Sequence, residues 1–290
     1  MKNLKTYIPS LLVSILLTFA LLGTSALMLA DKLADTTALT DLAEEKQIVS
    51  MVKTELTEHF EDNYNETGVP AQVYTDAITD EYISKLIEIN ISAGFEKMNG
   101  GKFDNTTGME NPALEESITG FFNDYAQKSG YAMDEKYEEY LGNTIENAYD
   151  TIRKACDIYK FETINKEGIF EKAGGIYRSI GKLSLAAAGA SLLLIIVLAL
   201  INMKSVSAVL YWTGVSALIS GIIGIVPCLY LNATSYFDAF TIKQPYIFAA
   251  FTGLMYKAVD LFMFNQIIFA SAGAVLIIAY AVVTKIKNKA

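Results

Sequence analysis

Four stretches of this chain contain no charged residue: 8–30, 183–203, 205–231 and 261–284, of 23, 21, 27 and 24 residues. An α-helix rises about 1.5 Å per residue and the hydrocarbon core of a bilayer is about 30 Å thick, so about 20 apolar residues suffice to cross it. All four stretches meet that length. The first follows a basic head, MKNLK, as a cleaved signal would. Its apolar run is longer than a signal core of roughly 7–15 residues, and no small-x-small site precedes Asp31, so the pattern favours a retained anchor.

Residues 31–177 change character. Apolar residues there recur every three or four positions among polar ones, which is helical spacing. Ile48, Val52, Leu56 and Phe60 form one stripe, and the first membrane helix is expected to run on through 31–62 until Gly68 and Pro70 stop it. A short helix over 71–78 follows, and Thr79 caps a longer one over 80–97 whose buried face is Ile83, Leu86, Ile87 and Phe95. Residues 99–111 form a glycine-rich loop. Asn111 then Pro112 is a cap followed by a first-turn proline, opening a helix to about Gln127 with Leu114, Ile118, Phe121 and Phe122 apolar. A last helix is expected over 134–166, with Tyr137, Leu141, Ile145, Ala148, Ile152, Cys156 and Tyr159 on its stripe. No segment sustains the alternation of a strand. Beyond it, 202–205 is a tight turn, and Pro245 opens either a helix flat on the membrane surface or a re-entrant one.

The expected fold is therefore an all-α membrane protein. Four transmembrane helices are joined by an all-helical extracytoplasmic bundle inserted between helices 1 and 2. The domains are 1–30, transmembrane helix 1; 31–177, the helical domain; and 178–290, a three-helix transmembrane domain. The last carries an aromatic outer loop at 232–260 that holds Tyr236, Phe237, Phe240, Tyr246 and Tyr256.

Charge gives an orientation. Lys2, Lys5, Lys204, Lys285, Lys287 and Lys289 flank the runs on one side with no acid among them, while 31–177 holds 30 acids and 13 bases, a net of −17. The positive-inside rule makes both termini cytoplasmic and 31–177 extracytoplasmic, in a multi-pass protein of the cell membrane. Arg178 and Lys182, at the outer edge of the second helix, weaken this asymmetry slightly. Lysine outnumbers arginine 21 to 2, a usage that points to an AT-rich bacterial genome.

Candidate chemistry is sparse. No catalytic, cofactor-binding or metal site is assigned, and no cofactor. No charge lies in the middle of a span, which argues against a pump or ion-coupled transporter. One histidine, His59, excludes a histidine metal cluster. The loop 104–115 carries acids and hydroxyls, but the glycine of a calcium loop is replaced by Met109. Gly100-Gly101-Lys102 lacks the first glycine and the hydroxyl of a phosphate loop. Glu135, Glu138, Glu139 and Glu146 suit a solvated helix face, and Lys257 and Asp260 are spaced to pair at a helix edge that continues into Asn265 and Gln266. Asn65, Asn90, Asn105 and Asn232 begin glycosylation triplets that carry no meaning in a bacterium. Cys156 and Cys228 are expected to be unpaired and buried, pairing only if the bundle brings them together. Small-residue stripes, Ser216–Ser220–Gly224, Ser184–Ala188–Ser191 and Ser14–Thr18–Ser25, suit close helix packing within the chain or in an oligomer.

The order of one helix, a large outer domain and three helices resembles permeases of the mechanotransducing ABC class in topology, although this chain has almost no cytoplasmic surface for an ATPase. The segment GVPAQVYTDAITDEYI, residues 68–83, looks like uncharacterised Gram-positive four-helix membrane proteins with a helical extracytoplasmic domain, a resemblance that brings no activity with it. The expectation is a non-enzymatic cell-surface binding or structural protein. Its partners would be membrane lipid, an extracellular or membrane protein, and a second copy of itself, and not nucleic acid. The alternative is the membrane subunit of a transport or export complex.

Overall fold

The apolar runs and the stripes both become helices. A computed structural model describes residues 4–287 and contains thirteen α-helices and no strand among them. They are α1 (Leu4–Leu33), α2 (Thr36–Glu45), α3 (Ile48–Asp62), α4 (Tyr64–Thr67), α5 (Ala71–Thr75), α6 (Asp80–Met98), α7 (Pro112–Ser129), α8 (Glu135–Cys156), α9 (Phe161–Lys166), α10 (Ile169–Tyr177), α11 (Ile180–Ile201), α12 (Val206–Ala233) and α13 (Pro245–Lys287). Lys2 and Lys289, two of the six flanking bases, lie outside the described residues. Four helical stretches are long and apolar enough to cross a membrane: Lys5–Leu33, Ile169–Ile201, Val206–Ala233 and Pro245–Lys287.

The chain divides into two compact units. One contains α1, α11, α12 and α13 from Leu254 onward. The other contains Thr36–Tyr177 together with Thr241–Gly253, a piece of the aromatic loop region.

In the membrane-type unit, α1 packs against α11 and α12. Large apolar side chains face outward along all four helices: Leu185 is 77% exposed and Leu192 60%. Hydroxyls face inward. The Ser14 and Ser216 hydroxyls are 2.7 Å apart, and Ser216 Oγ also reaches the Ser14 carbonyl at 2.9 Å. Thr24 meets Ser191 at 3.2 Å, and Asn202 Nδ2 donates to Ser10 Oγ at 2.8 Å. Leu17, Leu198 and Trp212 form the apolar centre between these pairs.

α12 and α13 meet through glycine. A Cβ on Gly221 would lie 2.6 Å from the Ala270 backbone nitrogen, and one on Gly214 would lie 3.1 Å from the Gly273 carbonyl. A Cβ on Gly273 would strike the backbone of Leu218. Leu218 is thus half-buried on the packing face rather than turned to lipid, a role taken by Ile222 and Ile223. Ser220 and Gly224 are buried as their spacing implies, but Ala188 is exposed, so the second helix packs through Ser191 and not through its whole small-residue stripe. Gln266 is fully buried against Gly224 and Asn265 is buried beside it, not on a solvated edge; the Gln266 amide has no partner among the described residues. Asp260 accepts from Asn232 Nδ2 at 3.0 Å and forms no ion pair with Lys257.

The second unit is organised on α6, which packs against α2, α3, α8, α9 and α10. Thr79 caps it, accepting from the Tyr82 amide at 3.1 Å. Its face of Ile83, Leu86, Ile87 and Ile91 is buried, as are Ile48 and Leu56 of α3 and Ile152 of α8, helices it packs against. Two long helices anticipated from periodicity are broken. The stretch 31–62 is three helices, because residues 34–35 separate α1 from α2 and Gln47, between α2 and α3, adopts a left-handed backbone at φ 54°. The stretch 134–166 stops at Cys156: the Asp157 carboxylate accepts from the Phe161 amide at 2.8 Å and the Glu162 amide at 3.0 Å, restarting the chain as α9. The reverse holds at Pro245. It opens neither a surface helix nor a re-entrant one but the first turn of α13, which continues unbroken for 43 residues, about 65 Å.

Close backbone approach gives a stability order. Gly221→Ala should lower the thermal midpoint of the detergent-solubilised protein by the equivalent of about 2 kcal/mol, because backbone must move. Gly224→Ala should cost less, since a Gln266 side chain can shift, and Ile222→Ala should have almost no effect. A larger loss from Ile222→Ala than from Gly221→Ala would contradict this packing.

Candidate functional site

A concavity lined by α7 and α8 lies in the helical unit. Asn111 caps α7 through the Leu114 amide at 3.3 Å, with Pro112 in its first turn, and Gly130 ends it at φ 66°. Asp134 opens α8 by accepting from the Lys136 and Tyr137 amides, both at 3.1 Å. The short link leaves the two helices side by side. On α7, Ile118 points into the core while Phe121, Phe122 and Tyr125 follow at three-, four- and seven-residue spacing, forming one wall. On α8, Lys136, Glu139, Tyr140 and Asn143 share a face in the same way and form the other. Thr67, Gly68 and Val69 complete the lining, Gly68 ending α4 in the left-handed conformation at φ 68°. The Tyr137 hydroxyl donates to Asn123 at 2.7 Å and ties the walls together.

The resulting groove has a volume of about 640 Å³. Six aromatic rings line it: Phe121, Phe122, Tyr125, Tyr131, Tyr137 and Tyr140. Tyr137 is buried, but Tyr125, Tyr131 and Tyr140 are 61%, 58% and 59% exposed. Phe122 lies 6.4 Å from Tyr137 and 6.1 Å from Tyr140, ring centre to ring centre. A second lobe of about 420 Å³ shares Thr67, Tyr140 and Asn143 with the first and is lined by His59, Asn63, Glu66, Asn147 and Thr151 among others. Phe60 and Tyr74, stacked at 4.2 Å, back it. Glu66, Lys136 and Glu139 form no ion pair among the described residues.

Of the residues singled out from sequence, Phe121, Phe122, Tyr137, Glu139 and His59 line the groove and most of the others fall elsewhere. Asp104 spends its oxygens on its own loop, accepting from the Thr106 and Thr107 amides and hydroxyls; the Thr107 hydroxyl contributes most to holding this carboxyl well below the usual range. Cys156 and Cys228 are free and buried, and burial pushes the Cys156 thiol up, so it stays protonated and a poor nucleophile. Asn90 and Asn105 bond one another at 2.9 Å inside the core, out of reach of modification. Glu135, Glu138 and Glu146 are solvent-exposed, and only Glu139 enters the groove lining. Phe121 and Phe122, expected on a core-facing stripe, are half-buried in the groove wall. Tyr125, Tyr131 and Tyr140 carry the groove and are missed from sequence. The available signal is that Tyr125 continues the Phe121–Phe122 row and Tyr140 sits three residues beyond Tyr137.

Away from the groove lining, the α8–α9 corner holds an ion network. Arg153 pairs with Glu162 and, at 2.5 Å, with Asp150, while Lys166 reaches Glu162 at 2.7 Å. Burial raises the Glu162 pKa, but hydrogen bonds from Lys166 and Arg153 outweigh it and hold the carboxyl below its ordinary 4.5. A lowered acid contributes stability above its unfolded pKa and loses it as pH falls through the folded one. Asp157 works the other way: burial, the larger influence, raises its pKa against the two backbone amides, so its contribution is present below 3.8 and is lost as pH rises through its raised value. Glu162→Gln should therefore reduce stability by about 2 kcal/mol at pH 7 and flatten the loss seen as pH falls below 4.5. Urea denaturation followed by circular dichroism checks both; a variant with unchanged stability and acid sensitivity would contradict the assignment.

Comparison of the chain with known protein families, curated proteins and solved structures finds no match in any of the three.

Proposed function

We propose that this is a non-enzymatic, multi-pass protein of the cell membrane that presents its helical unit outside the cell and binds a partner there through the aromatic groove. The groove carries this reading. Rigid aromatic rings exposed at a concave surface contribute large contact area at low entropic cost, which is why such residues dominate binding sites. The orientation rests on the flanking bases and on the acidic net charge of 31–177.

Location is tested by labelling. Lys102→Cys and Tyr131→Cys, both at exposed positions, are introduced singly into a background of Cys156→Ala and Cys228→Ala. A membrane-impermeant maleimide should label both in intact cells. Labelling only after lysis would overturn the reading.

A further inference from the structure

We infer that the occupant of the two-lobed groove is an extended basic peptide. The inference rests on the groove being a binding site, and it deepens that reading by naming the ligand. Three observations converge on it.

The first is shape. The two lobes, about 640 and 420 Å³, run together at Thr67, Tyr140 and Asn143. That is a track for an extended chain rather than a closed pocket for one small molecule.

The second is the rings. Tyr125, Tyr131 and Tyr140 are more than half exposed in the groove lining. The face of an aromatic ring is its negative pole, and it attracts guanidinium and ammonium groups within about 6 Å, with arginine also stacking on it.

The third is charge. Glu66 and Glu139 stand in the lining, one in each lobe, with no ion pair among the described residues, against the single cation Lys136. The surrounding segment 31–177 carries a net of −17. A field of that sign draws in cations and repels anionic polymers. The amides of Asn63, Asn143 and Asn147 supply neutral donors and acceptors along the track for a peptide backbone.

The test uses the full chain in lipid nanodiscs and fluorescence anisotropy of a fluorescein-labelled dodecapeptide alternating arginine and glycine. A glutamate–glycine peptide and a labelled neutral chitohexaose are run in parallel. The arginine peptide should bind, the other two should not, and raising salt from 50 to 300 mM should weaken it. Tyr125→Ala with Tyr140→Ala should weaken it at least tenfold, and Glu66→Gln with Glu139→Gln about fivefold. Glu44→Gln with Glu88→Gln removes the same charge from exposed positions elsewhere in the unit and should change affinity less than twofold. All the substituted side chains are largely exposed, and unchanged far-ultraviolet circular dichroism and thermal midpoint verify folding. Equal weakening by the two glutamate pairs, or no effect of the tyrosine pair, would reduce the binding to diffuse charge and overturn the inference. Failure of the arginine peptide to bind overturns it as well. Should chitohexaose bind instead and lose affinity in the tyrosine variant, the peptide is overturned while the groove stands as a binding site; inaccessible labels at Lys102 and Tyr131 would instead remove the function itself.

Discussion

The fold depends on a solvent that cannot hydrogen-bond. Along α1, α11, α12 and α13, leucine, isoleucine and valine face outward at exposures that water would penalise heavily, and lipid accepts them at no cost. Lipid tails are as apolar as these side chains, so nothing hydrophobic drives the helices together. What remains is close backbone contact and hydrogen bonding between hydroxyls. The chain supplies both: Gly214, Gly221 and Gly273 bring α12 and α13 into contact, and Ser14–Ser216 and Thr24–Ser191 join α1 to α12 and α11.

The helical unit obeys the opposite rule. Its apolar residues go inside, around α6, and its charges go out. The ordinary hydrophobic effect holds it together, and polar groups are buried only where they are paired, as Asn90 with Asn105 is and as Asp157 is with two backbone amides. Six aromatic rings gathered at one groove, three of them more than half exposed, stand out against that rule. Phe122 and the buried Tyr137 lie edge to face at 6.4 Å, while Tyr125, Tyr131 and Tyr140 form the exposed part of the lining.

The membrane spans, the caps Thr79 and Asn111, the helix start near Asp134, and the stripes Ile48–Phe60 and Ile83–Phe95 are legible in the sequence because each depends on local chemistry or on a period. Helix breaks are not legible in the same way. Nothing in the periodicity marks Gln47 or Lys160 as left-handed, and Asp157 ends α8 only because burial gives its carboxylate two amides further along the chain. The unbroken α13 is hidden by Pro245, a residue equally suited to opening a helix that stops and one that continues. The α12–α13 contact is half legible: small residues announce a packing face, but whether Gly221 or Gly224 meets backbone depends on the register with α13. The groove is the least legible feature. An exposed tyrosine and a core tyrosine have the same letter, and only the pairing of α7 with α8 separates Tyr125 and Tyr140 from Tyr137.

Everything said of the membrane unit follows from lipid covering its outer faces, and collision accessibility of spin labels reads that directly. Nitroxides placed singly at Leu192, Ile222 and Ile278, in the protein reconstituted into vesicles, should meet molecular oxygen readily and a water-soluble nickel complex rarely. A label at Tyr125 should show the reverse. Nickel accessibility at Leu192, Ile222 or Ile278 equal to that at Tyr125 would mean that water, not lipid, covers these faces, and the membrane-spanning assignment would be wrong.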